Sequence, residues 1–217
     1  TLVSFGSSTL MGDKRSDGAP ERDADLFSHL LFRDFLRHTD VFSGLAAACS
    51  FPVTAYLEGE PSRPGQPPEQ ATALLVSGNL FRVLGAPMAL GRPLTPGDDT
   101  PGAGQSAVVL GHGFWTRRFG QDPAVLGRTV RANGASYTVV GVAARSFRGL
   151  SLGIDADLWV PLSMQPGLMR DDSYLNDRNT MWLRLIGRLR PGVTADMALT
   201  RTNDLFRRLV TEEAGSQ

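Results

Sequence analysis

Cysteine occurs once in the 217 residues, at Cys49, and lysine once, at Lys14. A single cysteine excludes an intrachain disulfide, a thiolate-rich zinc site and a redox pair. An excess of either charge is also missing. With 22 basic against 22 acidic residues the formal net charge is +0, which excludes both a charge-expanded disordered chain and the basic footprint of a nucleic-acid binder. Long apolar runs are lacking too. The least polar stretch, from Phe42 to Leu57, is crossed by Ser43, Ser50, Pro52 and Thr54, short of the ~20 apolar residues a spanning helix needs. The chain has neither a starting methionine nor a leader, and is expected to be a piece of something longer. What is present is 41% hydrophobic residues, enough for a core that needs no covalent staples.

The residues that usually carry chemistry are scattered. His29, His38 and His112 lie far apart and read as structural or surface residues. No Gly-x-Ser-x-Gly elbow and no phosphate loop with Gly-Lys-Ser/Thr occurs. Gly102 to Ala107 matches a relaxed dinucleotide fingerprint, but it precedes a strand where it would have to follow one. Gly111-His112-Gly113 has the strand-then-helix context, yet Thr116 replaces the third glycine and the acidic partner is missing. The acidic pairs Asp98-Asp99, Asp155/Asp157 and Asp171-Asp172 read as solvated turns, since the alternation of a calcium loop ending in Glu is absent. Phe114, Trp115 and Phe119 with Arg117 and Arg118 read as one amphipathic helix, not a base-stacking platform. Trp159 and Trp182 are expected to be buried. No catalytic, cofactor-binding or metal-binding residue is assigned, and no cofactor is expected.

Periodicity and turn residues predict the elements. Leu2 to Phe5 is a short strand, followed by a polar, Gly/Pro-containing run to Ala24 expected to be a mobile loop. Leu31, Phe32, Phe35 and Leu36 repeat at helical spacing behind Ser28 as cap, predicting a helix over 28–39. Extended structure follows over 41–56, then a Pro/Gly-rich loop over 59–69. A strand is expected over 71–77, then a helical turn capped by Ser77 and closed by Gly85. After the 97–104 turn cluster come a strand over 107–110 and a helix over 113–119 stopped by Gly120. Asn133-Gly134 between β-prone runs predicts a type I′ hairpin, because both central residues need positive φ. Then come a strand over 158–161, a loop over 165–179 and a strand over 181–189. Thr194 is placed to cap a last helix striped by Ala198, Thr202, Leu205 and Leu209, with Arg207 and Arg208 closing its last turn. No internal repeat is present. The pattern is α+β.

Several of these segments resemble one family. They are residues 28–46 (beginning SHLLFRDFL), Val76–Gly85 (VSGNLFRVLG), Leu90–Asp99 (LGRPLTPGDD), Val108–Gly120 (VVLGHGFWTRRFG), Asp122–Arg128 (DPAVLGR), Tyr137–Val142 (YTVVGV), Phe147–Gly149, Asp157–Leu162 (DLWVPL) and Gly187–Gly192 (GRLRPG). Together they resemble the extracytoplasmic domain of MacB-type ABC transporter permeases, most closely the duplicated orphan permeases. The resemblance spans about Ser28 to Leu209. It implies a two-lobed α+β domain between the first two membrane helices of a bacterial inner-membrane permease, facing the periplasm. Residues 1–27 would be the leading strand and loop, 28–85 with 157–213 a porter-like lobe, and 86–156 an inserted, smaller β-rich lobe. The implied role is non-catalytic: coupling ATP hydrolysis by a separate cytoplasmic ATPase to movement outside the membrane, in export or mechanotransmission. The alternative is a module recognising a lipophilic or peptide cargo, or a periplasmic adaptor. The implied partners are that ATPase, an adaptor or a second permease copy, and no nucleic acid.

Overall fold

The structure, a computed structural model, describes residues 1–5, 26–58, 69–101, 106–147, 149, 155–170 and 173–214. In chain order the elements are β1 (Leu2–Phe5), α1 (His29–His38), β2 (Phe42–Cys49), β3 (Val53–Glu58), β4 (Gln70–Val76), α2 (Leu80–Leu84), β5 (Met88–Gly91), β6 (Ala107–Leu110), α3 (His112–Phe119), β7 (Thr129–Ala132), β8 (Ala135–Ala143), β9 (Leu158–Pro161), α4 (Gln165–Met169), β10 (Leu183–Leu189) and α5 (Ala195–Ala214). Residues 6–25, 59–68, 102–105 and 171–172 lie outside the described set. So do most of the expected N-terminal loop, the Pro/Gly loop, the relaxed fingerprint and the third acidic pair. The chain forms two compact units, one of Thr1–Ser50 with Tyr174–Gln217, the other of Phe51–Ser173.

In the first unit β10 lies between β1 and β2, antiparallel to both. Gly187 pairs with Leu45 in that register, and a Cβ there would meet the Phe42 ring at 2.4 Å, so glycine lets the ring lie over β10. The start of α1 is fixed by Ser28, whose side chain accepts a hydrogen bond from Leu31 N. Leu31, Phe32 and Phe35 are buried, whereas Leu36 is 45% exposed. At about 100° per residue Leu31, Phe35 and Phe32 fall at about 0°, 40° and 100° round the helix, and Leu36, at about 140°, lies past the edge of that face. Phe27 meets Phe35 edge to face at 5.8 Å, and Trp182 is buried as expected. Thr194 accepts from Met197 N at the start of α5, and among the described residues of α5 Ala198, Thr202, Leu205 and Phe206 are buried. The helix continues past Arg207 and Arg208 to Ala214, so these arginines do not close its last turn as expected.

The second unit is built on a ring of strands. β3 pairs with β4 and β7, β7 with β8, β8 with β6, β6 with β9, and β9 with β4. Each of these strands therefore has neighbours on both edges, which removes the exposed edges an open sheet would leave. β3 and β7 alternate, with Ala55, Leu57, Val130 and Ala132 inward and Thr54, Tyr56, Glu58, Thr129 and Arg131 outward. β6 and β9 are buried throughout, the pattern of strands covered on both faces. The Asn133-Gly134 hairpin has φ values of 53° and 86°, as the sequence predicts. β5 joins β8 beyond the end of β7 and was not anticipated.

This ring draws its boundary differently from the expected lobes of 28–85 with 157–213 and 86–156. β3, β4 and β9, assigned by sequence to the first lobe, pair directly with strands of the expected insert. Two local expectations also need correction. The cap residue of α2 is Asn79, with Ser77 donating to the Asn79 side chain instead of capping the helix. The expected loop over 165–179 opens with α4, since Pro166 sits in a first turn, where a missing N–H costs nothing.

Candidate functional site

The second unit holds a cavity of about 410 Å³ beside α3. α3 begins where β6 ends. Gly111 is its extended cap residue, because a Cβ there would lie 2.1 Å from the Ala156 carbonyl oxygen. Gly120, in the left-handed conformation, ends the helix. Phe114 is buried, Arg118 pairs with Glu69, and Trp115 Nε1 donates to the Asp122 carbonyl. The cavity is lined by His112, Thr116 and Arg117 of α3, by Gln121 just after it, and by Arg145, Phe147, Asp155, Asp157 and Trp159. Arg117 donates to Asp157 at 2.8 Å, and the other Asp157 oxygen accepts from Thr72 N at 3.1 Å. That aspartate is a structural tie between α3, β4 and β9. Phe147 packs against Trp159 with ring centroids 5.1 Å apart and planes tilted by 42°, and Trp159 is itself 2% exposed. Arg145 has no hydrogen-bond or ion-pair partner among the described residues.

A second constellation corrects the reading of Asp98 and Asp99 as solvated turn residues. Asp98 accepts two bonds from Arg92, at 2.7 and 2.9 Å, and closes a reciprocal capping box with Thr95. The Arg92 guanidinium holds its carboxyl down at about 2. Asp99 turns inward, accepting from Gly78 N at 3.1 Å and Ser163 N at 2.8 Å. Burial pushes its carboxyl up to about 6, against the opposing effect of those two backbone donors. Gly78 has room only for hydrogen, since a Cβ would stand 2.2 Å from the Thr95 carbonyl oxygen. The clasp joins the segments around residues 78, 95–99 and 163. Spacing in the sequence could not reveal it, because its members are 21 and 64 residues apart.

The profile of the MacB-like periplasmic core domain matches residues 8–205. The chain belongs to this family. It is an extracytoplasmic domain of a MacB-like ABC transporter permease. Its fold is similar to the periplasmic region of MacB from Actinobacillus actinomycetemcomitans, with a TM-score of 0.63 at 18% identity over 96% of this chain and 82% of that one. It is also similar to the extracellular domain of the noncanonical ABC-type transporter YknZ from Gram-positive bacteria, with a TM-score of 0.60 at 16% identity over 99% and 95%. A domain of a permease protein from Porphyromonas gingivalis gives 0.57 at 17% identity over 84% and 71%. No curated protein matches the sequence.

Of the residues weighed as candidate chemistry in this MacB-like domain, Gly111–Phe114, Thr116, Arg117, Asp155, Asp157 and Trp159 meet at the cavity beside α3, and the others are not among its lining residues. His29 Nδ1 lies 2.9 Å from the Leu175 carbonyl, and burial lowers its pKa. His38 is exposed and His112 lines the cavity. Among the described residues no group of three or more His, Cys, Asp or Glu side chains could hold a metal, and no helix is long and apolar enough to cross a membrane. The MacB-like motifs that carried the resemblance supply instead a cap (Ser28), close backbone approaches (Gly78, Gly111, Gly141, Gly187) and the Asp98–Asp99 clasp.

Proposed function

We propose that this domain carries no reaction of its own and couples ATP hydrolysis by a separate cytoplasmic ATPase to conformational change outside the membrane. The observation that carries the reading is what the motifs are spent on. Gly78, Gly111 and Gly141 each admit a carbonyl oxygen within 2.2 Å of where a Cβ would stand, and Asp99 ties two backbone amides. Groups used in this way make stiff bodies, and stiff bodies transmit displacement by hinge or shear motion. The two compact units would be the moving parts, with a periplasmic adaptor or a second permease copy as the receiving partner. The test is an ATP titration of the 217-residue chain alone, beside the full permease with its ATPase. Turnover confined to the assembly supports coupling, and nucleotide binding or hydrolysis by the chain alone contradicts it.

The second reading is a module that captures cargo or an adaptor. It is favoured by the cavity beside α3, whose volume and mixture of aromatic and charged walls are those of a small-molecule site.

A further inference from the structure

We propose that the cavity beside α3 binds a small amphipathic anion, its acid group on Arg145 and its apolar part against Phe147. The inference deepens the cargo-binding reading by naming the chemistry, and rests on it only for why the site exists. Three observations lead to it. The cavity, at about 410 Å³, lies within the ~300–1,000 Å³ typical of ligand sites. Its charged walls are unequal: Arg117 is committed to Asp157, itself tied to Thr72 N, whereas Arg145 lines the cavity with no partner among the described residues. An unpaired guanidinium is a fork of donors suited to a carboxylate, sulfonate or phosphate. The apolar surface is preformed, because Phe147 is held by Phe81 at 5.4 Å and Trp159 at 5.1 Å. These rings need no reordering on binding.

The probe is 8-anilinonaphthalene-1-sulfonate, which joins aromatic rings to one sulfonate, titrated into the 217-residue chain by fluorescence. Near-UV circular dichroism of each variant establishes that it is folded. The expected result is saturable binding at one site per chain, weakened at least about tenfold by Arg145→Glu and restored to within about threefold by Arg145→Lys. The same charge change at Arg82, exposed on α2 and outside the cavity wall, should leave affinity within about twofold. Absence of saturable binding overturns the inference. So does an Arg145→Glu variant that binds like the parent, or one weakened no more than Arg82→Glu. Because no ATPase is involved, a full transporter that works normally with Arg145→Glu removes the cargo-binding reading and leaves the binding site standing.

Discussion

Gly78 shows how a glycine can be required by packing alone. Its backbone φ is not positive, yet a Cβ would sit 2.2 Å from the Thr95 carbonyl oxygen, with the Asp99 Cβ a further neighbour at 3.0 Å. Gly78→Ala must push the 95–99 segment away and strain the Gly78 N to Asp99 bond. A loss of about 3 kcal/mol is expected in chemical denaturation. Gly97 lies in the same loop, with Thr95 Oγ1 at 3.7 Å as the nearest atom a Cβ would meet, and Gly97→Ala should stay within about 0.5 kcal/mol. Asp99 adds a pH dependence. Its carboxyl is raised from 3.8 to about 6 on folding, so its contribution to stability is complete below 3.8 and is lost as pH rises through about 6. Asp99→Asn surrenders one of the two backbone bonds at every pH and abolishes the titration. Thermal midpoints of the parent should therefore fall relative to those of Asp99→Asn between pH 4 and 7; parallel curves would contradict the assignment.

Among the elements, the β7–β8 hairpin does more than reverse the chain. Asn133 Oδ1 accepts from Tyr56 N at 2.8 Å, while Nδ2 donates to Leu168 O at 2.6 Å and to Thr54 O at 3.2 Å. The hairpin tip thereby binds β3 and α4. Asn133→Gly keeps the turn conformation but loses these three partly exposed bonds, at an expected cost of about 2 kcal/mol in denaturant. Asn133→Ala adds about 1 kcal/mol for the left-handed backbone. The turn itself was legible in the sequence, as were β1, α1, β6, β9 and the cap of α5, because their signals are local: alternation, a capping side chain, an Asn-Gly pair. The closure of β3, β4, β6, β7, β8 and β9 into a ring was not, since pairings such as Ala73 with Leu158 leave no trace at short range. α4 was hidden for a different reason, as Pro166-Gly167 looks like a breaker unless the helix is known to start just before it. Of the cavity lining, Gly111, His112, Phe114, Arg117, Phe147, Asp155, Asp157 and Trp159 each stood in a segment singled out in the sequence, but only tertiary placement joins them, and Arg145 was not singled out at all.

At the scale of the whole molecule, the proposed coupling requires this MacB-like domain to move. Cys49 is buried and is the only cysteine of these 217 residues, so within this domain introduced cysteines can be labelled without background. Ser136 and Arg208 are exposed and lie in different units. The most direct measurement is the distance between spin labels at Ser136→Cys and Arg208→Cys in the full permease, reconstituted with its ATPase. Coupling predicts a distance distribution that changes between the nucleotide-free and ATP-bound states, and does not change when the ATPase cannot bind nucleotide. Identical distributions in all nucleotide states, in a transporter that hydrolyses ATP, would contradict it.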